Sequence, residues 1–372
     1  METLQNANVD HCRKQNRRAH TDFNCKEATM TPKQKNILET FQDHLNESPL
    51  PSRVRAGASE NTIRGYVHDV GSFLTWWEQT EGQPLTIASL RSDPFALNKK
   101  LVQDYIGYLE RTVENATVLR KVASLRAFTR YLRAAKAIEH EPVNGLRLPG
   151  KVEPEPRGLS DNQRSRFEGA LQQPWLGRVT KRERTEVVEK NVIEDAKNRL
   201  IRDRAIIFLM MYAGPRVDET HNLNINDIVL KEKSGTLHIR KGKGFRERKT
   251  SIPLPARKAL QRWLDLRKEL GIHNHKDQPF FVRLRGKPGE RLSVRAMEDV
   301  VAEAGRHAGI KESVTPHVLR HTCAFMLRQA GVGIETRAKM LGHSVKTASK
   351  YGAPGEGEIE KAASLLDHAE AA

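Results

Sequence analysis

Apolar residues recur along the first half of the chain at i, i+3, i+4 and i+7, the spacing of helices with one buried face. From Thr31, the segment TPKQKNILETFQDHL offers a capping residue, a proline in the first turn and then apolar positions at helical spacing. In SENTIRGYVHDVGSFLTWW, residues Ile63, Tyr66, Val67, Val70, Phe73, Leu74 and Trp77 trace one face, with Ser59 as N-cap and Arg64 and His68 on other faces. Leu101, Val102, Tyr105, Ile106 and Leu109 predict a third helix, and Val118, Val122, Leu125, Phe128 and Leu132 a fourth. The fourth carries Arg120, Lys121, Arg126, Arg130 and Arg133 around the side expected to be exposed. A helix so dense in cations suits a phosphate backbone, and equally a plain solvated face.

The pattern breaks at EHEPVNGLRLPGKVEPEPRGLS, where proline, glycine and charge displace the apolar period, so residues 141–158 read as a linker. A small helical domain over 31–140 therefore precedes a larger one over 159–352. In the second domain, VTKRERTEVVEKNVIEDAKNRLIRDRAIIFLMMY is a long helical pattern whose row Arg182, Glu186, Lys190, Glu194 alternates sign at i, i+4, as a solvent-facing row does. The runs TLHIR (236–240), RKTSIPL (248–254) and PFFVR (279–283) read as strands, the first two as a hairpin with the basic tip KGKG. Helices resume after RLSVRAMEDVV. The expected fold class is mainly α (α+β), two helical domains of which the second holds a small antiparallel three-stranded sheet. There is no internal repeat.

Composition narrows the partner. Formal net charge is +17 and the pI near 9.8, beyond what solubility requires, so a polyanion is expected, nucleic acid before a membrane surface. No stretch approaches the roughly 18 uninterrupted apolar residues of a membrane span, and the polar start METLQNANVDHCRKQNRRAH lacks a signal-peptide core, so a soluble cytoplasmic protein is expected. Cys12, Cys25 and Cys323 are too few for a disulfide framework and suit a reducing compartment. His11, Cys12, His20 and Cys25 fit no common metal spacing, and residues 1–30 read as a flexible basic arm.

The segment TPHVLRH raises a choice between metal and phosphate. On a helix His317, Arg320 and His321 share roughly one face. The spacing resembles the H-E-x-x-H zinc signature, but Val318 stands where the water-activating Glu belongs, and a guanidinium would repel the ion. Arginine's planar fork of donors suits an oxyanion. Other places offer compatible groups: YAGPRVDETHNL, with Arg216 in the first turn of a helix begun by Gly214 and Pro215; Lys243 on the hairpin tip; and MLGHSVKTASKYG, with His343 and Tyr351. Each alone is a weak signal.

Together and in order, GPRVDE, GKGFRER, HVLRHT, LGHS and the tyrosine that follows resemble the tyrosine recombinase, or phage integrase, family, and SENTIRGYVHDV is similar to a helix of its SAM-like core-binding domain. The resemblance covers residues 32–365. It implies a DNA strand transferase in which Tyr351 attacks the scissile phosphodiester, giving a 3′-phosphotyrosyl bond and a free 5′-hydroxyl. Arg216 and Arg320 then hold the nonbridging oxygens, Lys243 protonates the leaving oxygen, His317 assists proton transfer, His343 hydrogen-bonds the phosphate, and Glu219 supports the basic groups. His321 matches no essential family role and reads as packing or as a support behind the site's contacting groups. The covalent bond conserves the energy of the broken one, so no ATP, metal or other cofactor is implied.

The implied partner is duplex DNA at a specific recombination site, contacted in the first domain by Arg64, Arg120, Lys121, Arg126 and Arg130. The implied assembly is a homo-tetramer on two DNA sites, with a monomer or weak association away from DNA. The tail, residues 353–372, carries Ile359, Ala362, Ala363, Leu365 and Leu366 at helical spacing, a helix either exchanged between subunits or packed within its own. Three departures from the family pattern stand out. Pro215 replaces the usual Leu or Met, which suits a first helical residue; the His343 to Tyr351 interval is short; and residues 178–203 look like an insertion. A type IB topoisomerase or resolving enzyme shares the chemistry but not the exchange of strands between duplexes. A DNA-binding regulator without activity would keep the fold alone.

Overall fold

In the computed structural model the chain divides into two compact units, residues 1–153 and 154–372. The structure describes residues 32–47, 60–150, 155–173, 186–240, 247–342 and 344–349. The basic arm with its histidines and cysteines, the caps expected at Thr31 and Ser59, and the tail after Tyr351 lie outside the described residues.

The first unit is helical: α1 (Pro32–Glu47), α2 (Glu60–Glu81), α3 (Ile87–Ser92), α4 (Lys99–Thr112) and α5 (Asn115–Ala134). The α2 stripe buries Ile63, Val70, Phe73, Leu74 and Trp77, with Tyr66 and Val67 half-buried at its edge. It meets the buried faces of α4 (Val102, Tyr105, Ile106, Leu109) and α5 (Val118, Val122, Leu125, Phe128, Leu132) in one core. Helix α1 joins that core through Phe41, whose ring meets Phe128 edge-on at 5.3 Å, and through Thr40, whose hydroxyl lies 2.6 Å from that of Tyr131. The apolar pattern does not predict α3, because six residues hold too little period. Reciprocal caps define it: Ser89 N–H donates to Thr86 Oγ1, and Thr86 N–H to Ser89 Oγ, both at 3.0 Å.

The segment expected to be a linker belongs partly to each unit. Val143 is buried in the first core, Leu146 and Leu148 pack on it, and Gln103 holds the Arg147 backbone by hydrogen bonds of 3.1 and 2.9 Å. The division between the units falls inside the segment, after residue 153, and Leu159, the first residue beyond the segment, is buried in the second core, where its N–H donates to Thr322 Oγ1 at 2.9 Å.

The second unit comprises α6 (Asp161–Ala170), α7 (Glu186–Ala213), α8 (Val217–His221), β1 (Ile228–Leu230), β2 (Gly235–Ile239), β3 (Arg248–Ser251), α9 (Leu254–Glu269), α10 (Val294–His307), α11 (Pro316–Gln329), α12 (Ile334–Leu341) and α13 (Val345–Ala348). The last turns of α7 are buried on every side, from Ala205 through Met211, and α9 and α11 both pack against this helix. Helix α9 goes unpredicted although Ala256, Leu260, Trp263 and Leu266 keep helical spacing and are buried.

The sheet corrects one expectation. It is three-stranded and antiparallel in the order β1-β2-β3, with Ile228 opposite Leu237 and Leu237 opposite Thr250, but its third strand is Ile228–Leu230 and not residues 279–283. Phe280, Phe281 and Val282 are all buried, so this run lacks the in-and-out alternation of a half-exposed strand. It fills the core as irregular chain. Trp263 Nε1 donates to the Phe280 carbonyl at 2.9 Å, and the fully buried Arg267 donates to the carbonyls of Pro279 (3.0 Å), Phe280 (2.9 Å) and His273 (2.7 Å). Burial pulls the Arg267 guanidinium down to about 10.

Candidate active site

The site begins where α7 ends. Gly214 turns the chain with φ +65°, and it packs so closely on Leu341 and Cys323 that a Cβ would collide with Leu341. Pro215 follows, and Arg216 is the N-cap of α8 in extended backbone, with φ −71° and ψ 158°. Arg216 thus sits one residue before the helix, not inside its first turn, and Pro215 lies ahead of the cap. The Arg216 amide is also not open to a ligand, because it donates to Glu219 Oε2 at 2.8 Å.

Glu219 is the hub. Its side chain is 3% exposed, and it accepts from Arg216 Nη1 at 2.7 Å and from Arg248 Nη1 and Nη2 at 2.9 and 2.7 Å. Burial by itself would raise its pKa, but the hydrogen bonds from Arg248, the Arg216 N–H and the two guanidinium charges outweigh burial and hold the carboxyl at about 2. Arg216, still partly exposed, turns Nη2 to the carbonyl of Gly342 at 2.9 Å.

Arg320 reaches the same corner from α11. That helix starts at Pro316 behind Thr315, whose hydroxyl accepts the Val318 N–H at 3.4 Å. Arg320 is 3% exposed and donates from Nη1 to the Gly214 carbonyl and from Nη2 to the Leu341 carbonyl. Two arginines therefore grip consecutive carbonyls, Leu341 and Gly342, immediately before His343 in the sequence. His317 is exposed one turn ahead of Arg320, and His321 is half-buried one turn after His317. Burial first, then the nearby His317 and Arg320, lowers the His321 pKa. The three share a neighbourhood but not one exposure: Arg320 faces inward, His317 outward.

Arg216 with Glu219, and His317 with Arg320, thus come from two separate segments, the start of α8 and the helix α11. Lys243, His343 and Tyr351 lie outside the described residues. Sequence reasoning missed Arg248. Its signal was faint, a third cation in the run GKGFRERK, where only the alternation of β3 turns it inward while Lys249 stays exposed.

In the first unit Arg64 is exposed and ion-paired with Glu60 at 2.8 Å, and Arg130 is exposed. Arg126 is half-buried. Arg120 and Lys121 both address Asp69, which is fully buried: Arg120 Nη1 and Ser124 Oγ donate to its Oδ2, and Lys121 Nζ lies 3.8 Å from Oδ1. Lys121 is 9% exposed, so it does not belong to the exposed side where the sequence pattern put it. The legible signal was Asp69 itself, a carboxylate within the apolar stripe of α2, three residues after Tyr66 and four before Phe73.

Glu219 and the main-chain carbonyls of Gly214, Leu341 and Gly342 thus hold three guanidinium groups at one corner of the second unit. Comparison with known proteins makes the class specific. Residues 184–355 match the phage integrase family model, and residues 53–136 match that of the phage integrase N-terminal SAM-like domain. The chain is 32% identical over 294 residues to tyrosine recombinase XerA of Pyrococcus furiosus, covering 78% of this chain and 91% of that protein. It is 29% identical over 301 residues to tyrosine recombinase XerC of Syntrophus aciditrophicus, covering 79% and 87%. The fold is that of XerH site-specific recombinase bound to its difH substrate (TM-score 0.55, 17% identity, 91% of this chain and 98% of that one) and of a lambda integrase dimer bound to a core site (0.58, 16%, 87% and 96%). The chain belongs to the tyrosine recombinase, or phage integrase, family. No helix among the described residues is long and apolar enough to cross a membrane.

Proposed function

We propose that this protein is a site-specific DNA recombinase that cleaves and rejoins strands of duplex DNA through a 3′-phosphotyrosyl intermediate. The observation that carries the reading is the convergence of Arg216 and Arg320 on the Leu341–Gly342 corner, with Glu219 buried behind them. Attack by a tyrosine oxygen on the phosphorus builds charge on the nonbridging oxygens, and fixed guanidinium donors answer it without reorganisation. In this reading Tyr351 Oη forms the new P–O bond, the 5′ oxygen leaves and takes a proton from Lys243, and His317 and His343 serve proton transfer and the phosphate. Attack by a 5′-hydroxyl from a second strand reverses the step and returns the tyrosine.

Relatives whose solved structures are DNA complexes support duplex DNA as the partner. The working assembly is four subunits on two sites, acting on DNA in the cytoplasm and serving either a mobile element (integration, excision or transposition) or dimer resolution. The exposed Arg64 and Arg130, with the partly exposed Arg120 and Arg126, contact the DNA backbone. The test is incubation of the wild type and Tyr351→Phe with nicked suicide duplexes drawn from the flanks of the protein's own gene. A denaturation-resistant protein–DNA adduct is expected with the wild type alone. Cutting that leaves no protein attached overturns the reading, and relaxation of one duplex without exchange between two makes the enzyme a topoisomerase.

A further inference from the structure

Arg248 stands outside the set of groups assigned to the phosphate, yet it closes the network around them. Both oxygens of Glu219 accept from its guanidinium, at 2.9 and 2.7 Å, while its Nε is buried with no hydrogen-bond partner, so Glu219 is what holds it. On its other side it lies against Gly342: a Cβ on that residue, at φ +62°, would sit 2.7 Å from Arg248 Nη1 and 2.8 Å from Cζ. Gly342 is the residue whose carbonyl Arg216 holds. Arg216, Glu219, Arg248 and Gly342 thus form a closed ring, and β3 brings to it the strand that follows the Lys243 segment.

The charges in this ring matter more than its bonds. Arg216 with Glu219 alone is a neutral pair. Without Arg248, Glu219 would keep only the Arg216 N–H on Oε2 and the Arg216 guanidinium on Oε1, and its uncompensated charge would compete with an incoming phosphate for that fork. Arg248 donates to both oxygens, while Arg216 keeps one side-chain contact with Glu219, and the trio carries a net positive charge. We propose that Arg248 is a positioning residue for strand cleavage: it neutralises Glu219, so that the carboxylate orients Arg216 without cancelling it, and its seat on Gly342 joins β3 to the segment leading to His343 and Tyr351. This rests on the reading of Arg216 as a phosphate ligand.

The test measures single-turnover cleavage at saturating suicide duplex, DNA affinity and thermal stability for the wild type, Arg248→Met, Arg248→Lys, Glu219→Gln and the double variant Arg248→Met/Glu219→Gln. Arg248→Met is expected to slow cleavage by roughly 10- to 100-fold, a scale near that of an oxyanion donor, with affinity changed by less than about threefold. Arg248→Lys restores part of the rate. The double variant cleaves faster than Arg248→Met, since the unbalanced carboxylate is gone, and this strong non-additivity is a readout that a merely structural role does not give. Where Arg248→Met fails to fold, Arg248→Lys and the double variant carry the comparison, the double variant then being expected to fold and to cleave near the rate of Glu219→Gln. Unchanged cleavage in Arg248→Met, or a double variant that shows the product of the single losses, overturns this proposal alone. Absence of an adduct with the wild type overturns the functional reading and takes this inference with it.

Discussion

Arg216 donates from Nη2 to the carbonyl of Gly342 at 2.9 Å, across 126 positions of sequence. The contact ties the corner that ends α7 to the corner that ends α12, and it is available only because Gly342 adopts the left-handed conformation, φ +62°, with no side chain. Gly342→Ala places a methyl against the Arg248 guanidinium in a backbone conformation that alanine resists. The expected cost is about 1–3 kcal/mol of stability together with slower cleavage, read by thermal melting and single-turnover kinetics.

Substitution of the two arginines proposed to hold the phosphate has different consequences. Arg216→Ala and Arg320→Ala should each lower cleavage by roughly 10²- to 10³-fold. Arg320 is also buried, with both terminal nitrogens on main-chain carbonyls, so its loss leaves the Gly214 and Leu341 carbonyls without these donors. Arg320→Ala should therefore also lose about 1–3 kcal/mol of stability, while Arg216→Ala, partly exposed, loses less. Melting curves beside cleavage rates separate the two.

Glu219 sets a limit at acid pH. Its carboxyl titrates at about 2 in the folded protein against an ordinary 4.5, so the folded state favours the ionised form. Its contribution is complete above pH 4.5 and is lost as pH falls from there toward 2. The shift corresponds to an upper bound of roughly 3 kcal/mol. Glu219→Gln should melt below the wild type at pH 7, and the gap should close as pH drops through this window. A gap that holds constant to pH 3 would contradict the assignment.

Lys121 and Arg130 lie on one helix, but Lys121 is buried beside Asp69 while Arg130 is exposed. Removing exposed Arg130 should reduce the slope of log affinity against log salt by about one, uniformly across DNA sequences. Lys121→Ala should leave that slope unchanged and instead destabilise the first unit by about 1–2 kcal/mol, because it takes one cation from buried Asp69 while Arg120 and Ser124 still donate to it. Salt titrations of DNA binding, paired with melting, distinguish the two.

Cys323 provides a probe of the second unit. Burial pushes its thiol up to about 12, against the lowering pull of Arg320. Maleimide at pH 7 should leave Cys323 unmodified in the folded protein and label it after denaturation, read by peptide mass mapping.

The sequence by itself determined what depends on neighbours along the chain. The stripes of α2, α4 and α5 were legible because helical burial repeats every three or four residues, and Val118, Val122, Leu125, Phe128 and Leu132 are all buried as spaced. The order of the motifs carried the family and pointed to Arg216, Glu219, His317 and Arg320. The tertiary structure decided what depends on partners far away in sequence. Residues 279–283 have the apolar content of a strand, but Arg267 and Trp263 engage their carbonyls, so they fill the core while β1 takes the sheet position. Lys121 and Arg248 look like their neighbouring cations in sequence. Asp69, 52 positions before Lys121, and Glu219, 29 before Arg248, turn them inward, because a buried carboxylate must find its counter-charge wherever the fold brings one near.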